Sequence, residues 1–111
     1  MMQRIYLAAP YSHPDPAVME ARVLAADAAA VRLMQTGLIV YSPLSHWHRA
    51  AQAHGLPTNA LFWRDANWRE LMLSDALHVL KLDGWKDSQG LAWEIAWAEE
   101  TEMRIVMRGL T

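Results

Sequence analysis

The stretch IYLAAPYSHPDPAVMEARVLAADAAAVRLMQTGLIVYSP, from Ile5 to Pro43, decides the fold. Its opening run Ile5-Tyr6-Leu7-Ala8-Ala9 is apolar without alternation and is stopped by Pro10, the pattern of a strand buried on both faces. Past the loop Tyr11-Ser12-His13-Pro14, the pair Asp15-Pro16 forms an N-cap and a first helical residue. The alanine-rich segment from Ala17 to Gln35 then favours a helix as far as Gly37. Leu38-Ile39-Val40-Tyr41 follows at once, rich in β-formers and ended by Ser42-Pro43. Strand, helix and strand in this order make a βαβ unit with a right-handed crossover.

Outward from that unit the same alternation continues. His46 to Gly55 has the composition of a short helix, Leu56 to Asn59 of a loop, and Ala60 to Ser74 of a second helix. Ala76 to Leu82 is a third apolar strand, and Asp83 to Gly90 is rich in turn residues. Leu91 to Glu102 is a helix, and Arg104 to Met107 a last strand. The pattern predicts a flavodoxin-like or Rossmann-like three-layer α/β sandwich with a parallel sheet of four or five strands. The 111 residues fit one domain, residues 1–111, and the chain shows no internal repeat, linker or low-complexity segment.

Composition narrows the function. Hydrophobic residues make up 53% and charged residues 20%, enough apolar surface for a true core. Ten Lys and Arg against twelve Asp and Glu give a net charge of −2, which supplies no basic field for a nucleic-acid polymer or an acidic membrane. Cysteine is absent, so thiol nucleophiles, disulfides and thiolate metal sites are excluded. The N-terminus lacks a signal-like apolar run, and no stretch approaches the roughly 20 apolar residues of a membrane span, so a soluble, cytoplasmic protein is expected. Six Trp exceed what one small core can hide. Some of these rings are expected in a pocket or in the interface of a homodimer or homotetramer.

In a parallel sheet the residues just after each strand gather at one rim: here Ala9 to His13, Ser42 to His46, and Asp83 to Gly90. Ser12 and Ser42 offer hydroxyls there, and His46, placed in the second rim loop, offers an imidazole for a phosphate or base; a plain surface histidine is the other reading. Ser88-Gln89-Gly90 leads into a helix start, whose free N–H groups and dipole suit an anion; taken alone, Ser88 as a simple helix cap is the preferred reading. Glu94 interrupts the run Leu91-Ala92-Trp93-Glu94-Ile95-Ala96-Trp97-Ala98 and lies on the order of 120–140° from Glu99 and Glu100, away from their solvated face. A carboxylate among Trp and Ile is either catalytic or an exposed first-turn residue. His46 and His48, two apart, diverge on a helix, and no carboxylate cluster accompanies them, so neither a metal nor a cofactor is expected. Trp93 and Trp97 form one stripe that suits packing, whereas Trp63 and Trp85 fall nearer the expected pocket.

These residues, in this order, resemble the nucleoside 2-deoxyribosyltransferase superfamily, and most closely its small relatives near the 2′-deoxynucleoside 5′-phosphate N-hydrolases. The resemblance rests on Ile5 to Pro10, Tyr41-Ser42-Pro43, Ser74-Asp75-Ala76 and, most specifically, Gly84-Trp85-Lys86-Asp87-Ser88-Gln89-Gly90 followed by Glu94 and Ala98. It implies that Glu94 is the nucleophile attacking the anomeric carbon of a deoxyribosyl group, resolved by water or a second base with retention. Ser88, where the transferases usually have Asp, implies a nucleoside monophosphate. Tyr6 falls on a family tyrosine near the sugar, and Ala9 and Pro10 border sugar or phosphate. The implied activity is cleavage or transfer at the N-glycosidic bond of a nucleoside or nucleotide; a non-catalytic nucleotide-binding module or a scaffold is the alternative. The chain departs from the pattern at Asn67, where the family usually has an Asp acting on the leaving base. Either Glu70, three residues on along the same helix face, or Asp65 replaces that acid, or the Asn67 amide holds the base.

Overall fold

The computed structural model describes residues 3–109. Four strands, β1 (Arg4–Ala8), β2 (Ile39–Tyr41), β3 (Ala76–Leu80) and β4 (Arg104–Arg108), form one parallel sheet in the order β2-β1-β3-β4. Tyr6 stands beside Tyr41 on one side and Leu77 on the other. Four α-helices join the strands: α1 (Pro16–Gln35), α2 (Pro43–His54), α3 (Ala60–Met72) and α4 (Gln89–Glu100).

Alternation along the central strands sorts the core into two layers. Leu7, Ala9, Leu80 and Leu82 pack under α1 through Val23, Ala26, Ala29, Ala30 and Leu33, with Leu44 of α2 at the margin. Tyr6, Ala8, Leu77 and Val79 pack against Leu71 of α3 and Leu91 and Ala98 of α4. The result is the expected three-layer α/β sandwich, with four strands. Small Ala side chains on α1 let that helix lie close to the sheet, and β3 is buried along its whole length.

Caps fix the helix starts. Asp15, Ser42, Asn59 and Ser88 each accept a first-turn N–H at the four N-termini. Ser42 followed by Pro43 starts α2 three residues before the expected His46, so His46 lies inside a helix and not in a rim loop. The loop after β3 also contains a 3₁₀ turn, Trp85–Asp87, that delivers Ser88 to the start of α4.

The chain leaves β1 through α1 to β2 on one side, then crosses through α2 and α3 to β3 on the other. This reversal opens a crevice at the carboxyl ends of β1 and β3. No helix among the described residues is long and apolar enough to cross a membrane.

Candidate functional site

A cleft of about 310 Å³ opens at that crevice, within the size range of small-molecule sites. Its floor comes from Ala8 and Ala9 at the end of β1 and its walls from α2, α3 and the N-terminal turn of α4. Trp47 and Trp63, ring centroids 5.8 Å apart, stand in its lining. Ser12 donates through its hydroxyl to the Thr58 carbonyl and so ties the loop after β1 to the connection between α2 and α3.

Glu94 lies in this cleft and is only 6% exposed. Ser88 starts α4 and Leu91 and Ala98 anchor it on the core, so the position three residues past Leu91 turns inward. Burial makes ionisation costly and pushes the Glu94 carboxyl up to about 7 from an ordinary 4.5. The fully buried Tyr6 hydroxyl donates to Glu94 Oε2, which opposes part of that rise and orients the carboxylate. Tyr6 itself is held well above its usual range, first by burial and then by the Glu94 charge, so it remains a donor.

Asn67 of α3 also lines the cleft, and its Oδ1 is buried without a hydrogen-bond partner. An unpaired buried acceptor costs on the order of 1–3 kcal/mol.

Of the other residues expected at the site, Ala9, Ser12, Ser88 and Gly90 line the cleft. Pro10 is buried beneath the rim, and Ser42 is occupied in capping α2 through Ser45 N. His46 is exposed and packs on Tyr41 and Trp47, with centroids 5.4 and 4.7 Å away. Trp85 packs on the layer of α3 and α4, under Lys86. Neither His46 nor Trp85 faces the cleft. Asp65 points to solvent, its side chain 93% exposed, and pairs with Arg64. Glu70 forms an ion pair with Arg4 at 2.5 Å. Neither acid enters the cleft with Asn67.

Besides Trp47, the side chains of His48 and Tyr11, not expected at the site, line it, and Glu20 stands behind His48. His48 of α2, 6% exposed, lines the cleft together with Tyr11. The Tyr11 hydroxyl lies 2.7 Å from His48 Nδ1, and Glu20 Oε2 lies 2.7 Å from Nε2. A cap at Ser42-Pro43 carries the signal: with the helix begun there, Leu44, His48 and Ala51 share one inward face, and all three are buried.

A shallower depression adjoins the cleft through Ser12, Asp87 and Ser88, and Arg22 and His13 line it. The Arg22 guanidinium donates to the carbonyls of Tyr11, Ser12 and Asp83 at 3.3, 3.0 and 3.0 Å, strapping the loops after β1 and β3 together. Among the described residues there is no group of three or more His, Asp or Glu arranged to hold a metal ion.

No curated protein matches the chain. Residues 3–109 match the family described as "Domain of unknown function (DUF1937)", and the chain belongs to that family.

Proposed function

We propose that the protein cleaves or transfers at the N-glycosidic bond of a deoxynucleoside or its 5′-monophosphate, with Glu94 as nucleophile. The observation that carries this reading is a buried carboxylate, oriented by the Tyr6 hydroxyl, in a ligand-sized cleft at the switch point of the sheet. The likeness to the nucleoside 2-deoxyribosyltransferase superfamily at Gly84 to Glu94 supports the same role.

In this reading the ionised Glu94 attacks the anomeric carbon as the bond to the base breaks, giving a glycosyl-enzyme that water or a second base resolves with retention. Tyr6 holds the attacking oxygen in place. Asn67 stands in the lining, where a rotation of its amide would bring the unpartnered Oδ1 to the base, and Trp47 and Trp63 offer flat faces to it. The described lining of the cleft contains no Lys or Arg, which suits the neutral part of a nucleoside. A 5′-phosphate, where the substrate carries one, belongs at the junction with the shallower depression, between the α4 N-terminus and Arg22. The exposed apolar side chains Leu61, Phe62 and Trp68 of α3 support a homo-oligomer.

Incubating the protein with deoxynucleosides and their 5′-monophosphates and separating free base by chromatography tests the proposal. Base release abolished by Glu94→Ala is the expected result. A nucleotide that raises the melting temperature with no base released favours instead the non-catalytic binding module.

A further inference from the structure

With Asn67 unable to give up a proton, and Asp65 and Glu70 facing away, none of the three positions expected to act on the departing base can protonate it. The other carboxyl in the cleft lining, Asp87, is exposed on the 3₁₀ turn beside the α4 N-terminus, at the junction with the depression assigned to a phosphate. We propose that Tyr11, supplied with a proton by His48 under the hold of Glu20, is the acid for that base. The inference rests on the proposed N-glycosidic reaction and deepens it.

Three observations carry it. Tyr11 and His48 line the same cleft as Glu94, and His48 is buried. The chain Tyr11 Oη to His48 Nδ1 to Glu20 Oε2 is continuous, with 2.7 Å at both links, and it ends in a half-exposed carboxylate in touch with solvent. Glu20, an acceptor, fixes a proton on Nε2, so the other ring nitrogen faces the tyrosine. A buried histidine held at both nitrogens, by a cleft tyrosine and a carboxylate, exceeds what packing α2 on α1 requires.

The proton count closes. In the imidazolium form, His48 Nδ1–H donates to Tyr11 Oη and leaves the tyrosine hydroxyl proton free to point at the base. As a Glu94 oxygen bonds to the anomeric carbon, the carbon–nitrogen pair moves onto the base nitrogen, which takes the Tyr11 proton. Tyr11 takes the Nδ1 proton in turn, and neutral His48 keeps Nε2–H on Glu20. In the second half, water attacks the anomeric carbon and the bond to Glu94 breaks. The water proton returns through Tyr11 to Nδ1, restoring the carboxylate and the imidazolium. Tyr11 is the catalytic acid and then base; His48 and Glu20 are positioning residues that act through it.

The test compares two leaving groups: the deoxynucleoside hydrolysed fastest, whose base needs a proton, and 4-nitrophenyl 2-deoxyribofuranoside, whose phenolate departs without one. Tyr11→Phe is expected to lower kcat on the nucleoside about 100-fold while the nitrophenyl substrate stays within about threefold. Glu20→Gln, at the exposed end of the chain where folding is not at risk, is expected to show the same split at about 10-fold, with KM little changed. Glu94→Ala loses both substrates. Equal losses on both substrates, or none on either, in Tyr11→Phe and Glu20→Gln overturn the relay and leave the Glu94 reading standing. A wild-type protein that hydrolyses neither substrate removes both proposals together.

Discussion

Asn67 shows how a single residue can be paid for in stability. Its Oδ1 is sealed from solvent and bonded to nothing among the described residues, while the rest of α3 is largely exposed. Asn67→Leu keeps the volume and removes the orphan acceptor, so the folded state is expected to gain about 1 kcal/mol, read as a melting temperature a few degrees higher. On the proposed reading, in which the amide rotates to meet the base, the same substitution is expected to weaken nucleoside affinity about 10-fold. A melting temperature that stays the same or falls would show that the atom carries no burden. At this scale the sequence was partly legible. Glu94 stood out because a carboxylate broke an apolar run, whereas Tyr6 was legible only through the family resemblance, since nothing in the strand pattern alone distinguishes it. The partner choices of Asp65 and Glu70 were not legible, because Arg64 and Arg4 capture them through contacts that spacing alone does not rank. His48 was hidden by a helix start read three residues late.

The elements themselves were legible because strong local chemistry agrees with the global pattern: Asp15-Pro16 and Ser88 cap where they were expected, and the third strand is buried from Ala76 to Leu80, ending two residues short of the expected Leu82 because Lys81 turns to solvent. The exception is α2, where His46 was assigned to a loop although Ser42-Pro43 carries the N-cap and N1 chemistry. The loop after β3 was legible as a turn, but its tie to α1 was not, since Arg22 reaches Asp83 across 61 positions of sequence. That tie depends on Gly84, which has φ +86° and would place a Cβ 2.8 Å from Arg22 Nη2. Gly84→Ala combines a left-handed strain with a displaced guanidinium, and the expected cost is about 1–2 kcal/mol by chemical denaturation. Loosening of the loops after β1 and β3 is expected with it, seen as faster amide exchange at Ser12 and Ser88 than at Leu77 in β3. Unchanged exchange at the two loops would mean that the Arg22 strap does not hold the rim.

At the scale of the whole molecule, two buried groups pull the pH dependence of stability in opposite directions. His78 of β3 accepts from Arg108 Nε at 2.8 Å, and burial, followed by the charges of Arg108 and Arg104, lowers it from 6.5 to about 4. The folded protein therefore holds His78 neutral where the unfolded chain would protonate it. Its contribution is complete above pH 6.5 and is lost as the pH falls towards 4. Glu94 behaves in the reverse sense. Raised from 4.5 to about 7, it favours the folded state fully below pH 4.5 and loses that contribution as the pH rises to 7. Between about pH 4.5 and 6.5 the two slopes offset, so these groups together leave stability nearly flat. Glu94→Gln removes one slope and keeps the size of the side chain. The variant is expected to gain on the wild type by about 2–3 kcal/mol between pH 4 and pH 8, read as a widening gap in denaturant midpoint. A gap that stays constant across that range would mean that Glu94 titrates normally in the folded protein. It would then have to be ionised without the burial that places it in the cleft, and the carboxylate would lose the environment on which its proposed role as nucleophile depends. A gap that widens as expected marks Glu94 as a group the fold keeps buried at a cost that grows above pH 4.5, which is how a site held for chemistry differs from one held for packing.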